Sequence, residues 1–196
     1  MIKMVNGSSR YGGLAGALIV AAAISLTASV LVAQHLYLNY SLNNNYISDL
    51  GVGSTAPIFN TTIIFFGALL VLAALVMLMS RQRYRALAFL VAGIGGMCVG
   101  LFPETTGLPH IIAATVAFGS VSVSALGFTK VFKGKAVYYT LASGILGLAI
   151  ILLFIPQLLG VRINIGLGKG GFEEILFYNE VIWALVVGAS ILLKRI

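Results

Sequence analysis

Six apolar stretches, at about 14–38, 58–80, 86–102, 109–129, 136–156 and 175–193, leave this chain few ways to fold. A helix needs about 20 residues to cross a hydrocarbon core of about 30 Å, and these runs are near or above that length. Their apolar residues are continuous rather than alternating, which selects transmembrane helices over the strands of a barrel. Charged residues make up only 9% of the 196 positions, against about a quarter in a soluble domain. The expectation is therefore an all-α, polytopic transmembrane bundle of six helices, forming a single domain over 1–196. The first run is longer than the apolar part of a secretory signal and lacks a small-x-small cleavage site at its end, so it is expected to be retained as a span. The third run is the shortest, and Gly93, Gly95, Gly96 and Gly100 mark it as a closely packed helix.

The charges orient this bundle. Lys3, Arg10, Arg81, Arg83, Arg85, Lys130, Lys133, Lys135, Lys194 and Arg195 fall on one side of the six runs. Asp49, Glu104, Glu173, Glu174 and Glu180 fall on the other, with only Arg162 and Lys169 beside them. By the positive-inside rule both termini are expected in the cytoplasm (N-in/C-in) and the acids on the extracytoplasmic side of the cell membrane. The net charge of +7 then reads as a basic rim facing anionic membrane lipids, and nucleic acid is excluded as a partner. The lone cysteine, Cys98, rules out a disulfide within the chain and reads as a packing residue.

The inner connections are short, whereas the outer loops at about 39–57 and 157–173 are long enough to carry a site. Small residues four apart (Gly12 and Gly16, Gly96 and Gly100) predict close helix contacts, as do Ala114, Ala117 and Ser124 on the His110 stripe. Such stripes serve helix packing within one chain, and equally a homo-oligomer or a subunit of a larger membrane complex.

Ionisable groups at membrane depth are costly and usually face a cavity or one another. That singles out His110 at the start of the fourth run and Glu180, expected about a turn and a half inside the sixth. With Glu104 and Asp49 they are the candidates for general acid–base catalysis, and His110 with Glu104 for a divalent metal. No spacing of the H-E-x-x-H kind supports either. The competing reading makes Asp49 and Glu104 helix caps or turn residues, with His35 in an interfacial belt beside Tyr37 and Tyr40. A haem held by His35 and His110 is disfavoured, because haem-binding bundles place their ligands deeper.

Loop one, Asn45-Tyr-Ile-Ser-Asp-Leu-Gly-Val-Gly-Ser-Thr-Ala-Pro-Ile-Phe-Asn60, carries most local information. Gly51 and Gly53 permit a tight turn, Ser54 or Thr55 can cap a helix, and Pro57 suits its first turn. Asn60 is a polar group that must find a partner. The loop is thus expected to fold back on the bundle, with Ser48, Gly51, Pro57, Asn60, His35 and Trp183 lining or shaping a site. Gly166-Leu-Gly-Lys-Gly-Gly171 matches G-x-G-x-x-G, but no βαβ unit precedes it and two acids follow, so it reads as a flexible outer loop.

Ile47-Ser-Asp-Leu-Gly51 followed by Pro57-Ile-Phe-Asn60 resembles the signature of the domain-of-unknown-function 998 family of prokaryotic membrane proteins. The resemblance continues through Gly100-Leu-Phe-Pro-Glu104, His110, Glu174-Ile175 and Trp183, and covers nearly the whole chain. Glu173-Glu174 departs from the family pattern, which has an acidic or polar residue followed by a basic one. The family is similar in layout to the FGF-receptor-activating protein and autophagy-modulator group, which implies a role in handling lipid or lipid-linked groups. Three functions stay open at this point: a lipid-binding protein or complex subunit, an intramembrane enzyme acting on a lipid at the outer face, and a transporter.

Overall fold

The structure, a computed structural model, describes residues 5–79, 83–158 and 166–193. Lys3, Arg81, Arg162, Lys194 and Arg195, on which part of the charge argument rests, lie outside them, as does 159–165 of the second long loop. The described residues form six α-helices and no strand. These are α1 (Val5–Leu36), α2 (Ala56–Met79), α3 (Arg83–Leu101), α4 (Leu108–Phe128), α5 (Lys135–Leu158) and α6 (Gly171–Leu192). Five are long and apolar enough to cross a membrane, and α3 is shorter, with its apolar part at Ala86–Leu101. The chain is thus a multi-pass membrane protein by the length and composition of its helices.

Helix ends depart from the apolar runs for local reasons. α1 stops at Leu36, and Asn39 soon after adopts a φ of 59° that no helix can continue through. α6 begins at Gly171, before the expected start at 175, because Glu173 and Glu174 in its first turn suit the positive end of the helix dipole.

Successive helices pack against one another, and α6 closes the ring by packing on α1, α4 and α5. Trp183 of α6 is wholly buried at the centre. Its ring stacks on Phe89 of α3 at 6.2 Å and meets Phe128 of α4 edge-on at 5.5 Å. Its Nε1–H donates to the Thr140 hydroxyl of α5 (2.6 Å), which in turn donates to the Ala125 carbonyl of α4 (3.0 Å). One side chain therefore ties four helices together and leaves no indole donor unsatisfied.

Close approach elsewhere depends on glycine. A Cβ on Gly93 of α3 would lie 2.6 Å from the Gly67 carbonyl of α2, and one on Gly100 would lie 2.7 Å from the Asn60 carbonyl. These contacts run antiparallel along the α2–α3 seam. Gly16 makes the same kind of contact between α1 and the Gly188 carbonyl of α6, whereas nothing stands near Gly12. The expected Gly12–Gly16 pair is thus a single contact.

Candidate functional site at the loop-one end

Loop one folds onto the bundle as its residues suggested. The Leu42 and Asn43 carbonyls accept from the N–H groups of Gly170 (2.9 Å) and Lys169 (3.1 Å). The described part of the glycine-rich segment is therefore a docked turn, not the free loop expected from its composition. Ser48–Gly51 form a short 3₁₀ turn, and a Glu173 carboxylate oxygen covers its start. That oxygen accepts from the Ile47 N–H at 2.7 Å, with the Ser48 N–H behind at 3.5 Å. Asn60 is satisfied on one side only: its amide donates to the Gly51 carbonyl at 3.0 Å, while its buried Oδ1 accepts from no described residue. Glycine at 51 leaves room for this side chain, since a Cβ would lie 2.7 Å from Asn60 Oδ1 and displace it. Pro57 stands in the first turn of α2, where no intrahelical N–H bond is needed. The Thr55 hydroxyl donates to the Leu50 carbonyl (2.8 Å), so it closes the loop from within.

Asp49 is the electrostatic hub. It accepts from the Asn45 amide (3.0 Å) and the Tyr46 N–H (3.2 Å), and Lys169 approaches to 3.6 Å. Its fourth partner is the carboxyl of Glu104, which arrives from the 3₁₀ turn Glu104–Thr106 between α3 and α4. Two carboxyl groups sharing a hydrogen bond must divide one proton between them. Partial burial would raise both. On Asp49 that rise is outweighed by the hydrogen bonds from Glu104 and Asn45 and by the Lys169 charge, so its pKa falls below the ordinary value. Glu104 keeps the proton: burial, then the bond to Asp49 and the Asp49 charge, push it up to about 8.

Beneath this pair lies a cavity of about 380 Å³ between α4, α5 and α6. Its upper wall carries Ser48, Glu104, His110 and Glu173, with Phe154 against Tyr46 at the same end; its lower walls are Phe118, Ile151 and Leu176. Gly107 and Thr115 of its lining are exposed, so it opens along the α4 side. His110 is only 7% exposed. Its Nδ1 lies 2.8 Å from the Phe102 carbonyl, an orphan at the end of α3 that can only accept. Nδ1 therefore carries the hydrogen, and in the neutral ring Nε2 presents a lone pair. A second cavity of about 70 Å³ lies deeper. It shares Ser48, His110, Ala114, Phe118 and Glu173 with the first and reaches Glu180 and Trp183.

Of the residues singled out from the sequence, His110, Glu104 and Ser48 line the outer cavity. Asp49 stands behind Glu104, while Gly51, Pro57 and Asn60 shape the loop. His35 is exposed at the end of α1 and lines neither cavity. Glu180 is deeper than expected: it is the tenth of the 22 residues of α6, about 13 Å along its axis. It is buried, and the Ser122 hydroxyl of α4 donates to it at 2.7 Å. Among the described residues no three His, Cys, Asp or Glu side chains gather as a metal-binding group. Glu173 and Tyr46 also line the cavity, although neither is among the site candidates drawn from the sequence. The signal for Glu173 was its place seven residues before Glu180, on the same helix face.

No curated protein and no solved structure matches the chain. The family model described as a protein of unknown function (DUF998) matches residues 19–190. That stretch includes the loop-one turn, His110, Glu173 and Trp183, and the chain belongs to the DUF998 family.

Proposed function

We propose that this protein binds an amphiphilic membrane ligand, a lipid or lipid-linked group, with its head at the loop-one end and its apolar part between α4, α5 and α6. The observation that carries the reading is the form of the larger cavity: about 380 Å³, carboxyls and an imidazole at one end, aromatic and aliphatic walls below. Small-molecule sites have this mixture of apolar lining and few placed polar groups, at volumes of roughly 300–1,000 Å³. The distribution of basic residues supports an orientation with both termini cytoplasmic and the cavity in the extracytoplasmic half. The similarity of layout to lipid-handling membrane proteins points the same way.

Mass spectrometry of the protein purified in mild detergent tests this. The expected result is a co-purifying amphiphile that is lost from Ala114→Trp, since Ala114 lines both cavities and an indole there fills them. An empty unaltered protein, or a lipid retained equally by the variant, would overturn the reading.

A second reading, an enzyme acting on the head of the same ligand, draws on His110. A buried imidazole with Nδ1–H anchored, lining the same cavity as Glu104 and Glu173, is suited to act as a general base. Turnover of a bound lipid that disappears in His110→Ala would establish it. Binding unaccompanied by turnover would leave the protein a lipid-binding one.

A further inference from the structure

We propose that the head this cavity takes is a primary or secondary ammonium group borne on an apolar chain. The inference rests on the amphiphile-binding reading and names its ligand. The ionisable groups described at the cavity's upper end are two carboxyls and an imidazole. Glu104 and Glu173 line it, with Asp49 immediately behind, and among the described residues no lysine or arginine does. The described cation beside it, Lys169, is engaged by Asp49 at 3.6 Å and by the face of Tyr46 at 4.3 Å.

His110 supplies the independent observation. The ring is more than nine-tenths buried and lines the cavity, and its Nδ1–H is committed to the Phe102 carbonyl. Its Nε2 has no partner among the described residues. In that tautomer the neutral imidazole accepts at Nε2, so a hydrogen-bond donor fits there.

A donor that also answers the carboxyl groups is cationic. A metal ion would need ligands gathered at bonding distance, and no such group exists among the described residues. An ammonium head is satisfied by acceptors spread around it at hydrogen-bond range. It would also relieve the crowding that holds Glu104 protonated up to about pH 8. An anionic head would face the Glu104 and Glu173 carboxyls with Asp49 behind them, and Lys169 is already engaged by Asp49. Phe118, Ile151, Phe154 and Leu176 take the first part of the chain, and the opening beside Thr115 lets the remainder leave into the bilayer.

The test uses the whole protein in phosphatidylcholine nanodiscs, with empty discs as the blank. Radiolabelled dodecylamine is the probe, competed by dodecanol, dodecyltrimethylammonium and dodecyl phosphate. Saturable dodecylamine binding is expected, about tenfold tighter than that of dodecanol or the trimethyl compound, which lack the charge or the N–H donors. Dodecyl phosphate is expected not to compete. Glu104→Gln, which keeps a hydrogen bond to Asp49, should weaken the amine by about tenfold, and Ala114→Trp should abolish binding. If dodecanol or dodecyl phosphate binds the unaltered protein as well as the amine, and Ala114→Trp blocks both, the ammonium assignment falls and the amphiphile reading stands. If no probe binds saturably, both fall.

Discussion

The two sides of the helix ring use glycine in opposite ways. Along the α2–α3 seam, glycines bring backbone against backbone: Gly67 and Gly93 face each other's carbonyls, and Gly100 lies on that of Asn60. Between α4 and α5, glycines make room for side chains. Gly144 receives Leu126, and Gly147 receives Ser122, which reaches past it to Glu180. On that side Asn179 also donates to the Ser143 carbonyl (3.0 Å) and Trp183 to Thr140 (2.6 Å). The second side, where polar side chains bridge the helices, holds the larger cavity, between α4, α5 and α6. The smaller one lies at the centre of the ring, where α2 and α3 line it together with α4 and α6. Lipid offers no hydrophobic drive between helices, so packing and interhelical hydrogen bonds decide where they close and where they part.

Alanine at three glycines should break this comparison in order of size. Gly67→Ala drives a methyl into the Gly93 carbonyl and the Met97 backbone, neither of which can rotate away. A loss of about 3 kcal/mol is expected from such overpacking. Gly147→Ala meets the Ser122 side chain, which can turn aside by giving up its bond to Glu180. An interhelical bond of this kind is worth about 0.6–1.7 kcal/mol. Gly119→Ala meets nothing within 4 Å and should gain up to about 1 kcal/mol from helix propensity. Unfolding titrations in mixed micelles would rank them; equal losses at Gly67 and Gly147 would erase the distinction between the two sides.

The Ser122–Glu180 bond sharpens the same point. Ser122→Ala leaves the buried Glu180 carboxyl without its hydroxyl donor, at a cost of about 1–2 kcal/mol. Glu180→Leu removes the group that needed the donor, so adding Ser122→Ala to it should cost almost nothing. A double-mutant cycle reads the difference directly. Additive losses would mean that the two side chains do not act as a pair.

How far the sequence could lead follows from these residues. Long apolar runs announced the helices, because bilayer solvent leaves few alternatives. Gly51, Pro57 and Asn60 announced a folded loop one, because each has a local requirement that a free loop cannot meet. Contacts between distant segments had no such signal. The Asp49–Glu104 pair joins two loops with no characteristic spacing. Glu173 and Glu174 are neighbours in sequence, but a helix turns about 100° per residue and sends them to different partners. Glu174 goes to Gln34 and to the Tyr40 hydroxyl (3.1 Å), Glu173 to the start of the loop-one turn and the cavity. The depth of Glu180 was misjudged because charges at 173–174 hid the true start of α6, although acids in a first turn favour a helix start.

The smallest expected effect tests whether the loop-one end is held by the shared proton. Glu104 binds its proton more tightly folded than unfolded, so its contribution is complete below an unfolded carboxyl pKa of about 4.5 and is lost as pH rises to about 8. Asp49 has the opposite sign: its lowered pKa gives stability above the ordinary carboxyl range that is lost on acidification. Between about pH 5 and pH 9 only the Glu104 limb operates in this pair, and the thermal midpoint should fall by a few degrees. Trp183 is the chain's one tryptophan and lies in the core, so its fluorescence follows the whole bundle. Glu104→Gln keeps the hydrogen bond to Asp49 with no proton to lose, so the difference between the two pH profiles isolates this group from every other that titrates. Parallel profiles would show that loop one is held by Glu173 and the Leu42–Asn43 backbone bonds, with the carboxyl pair free to serve a ligand.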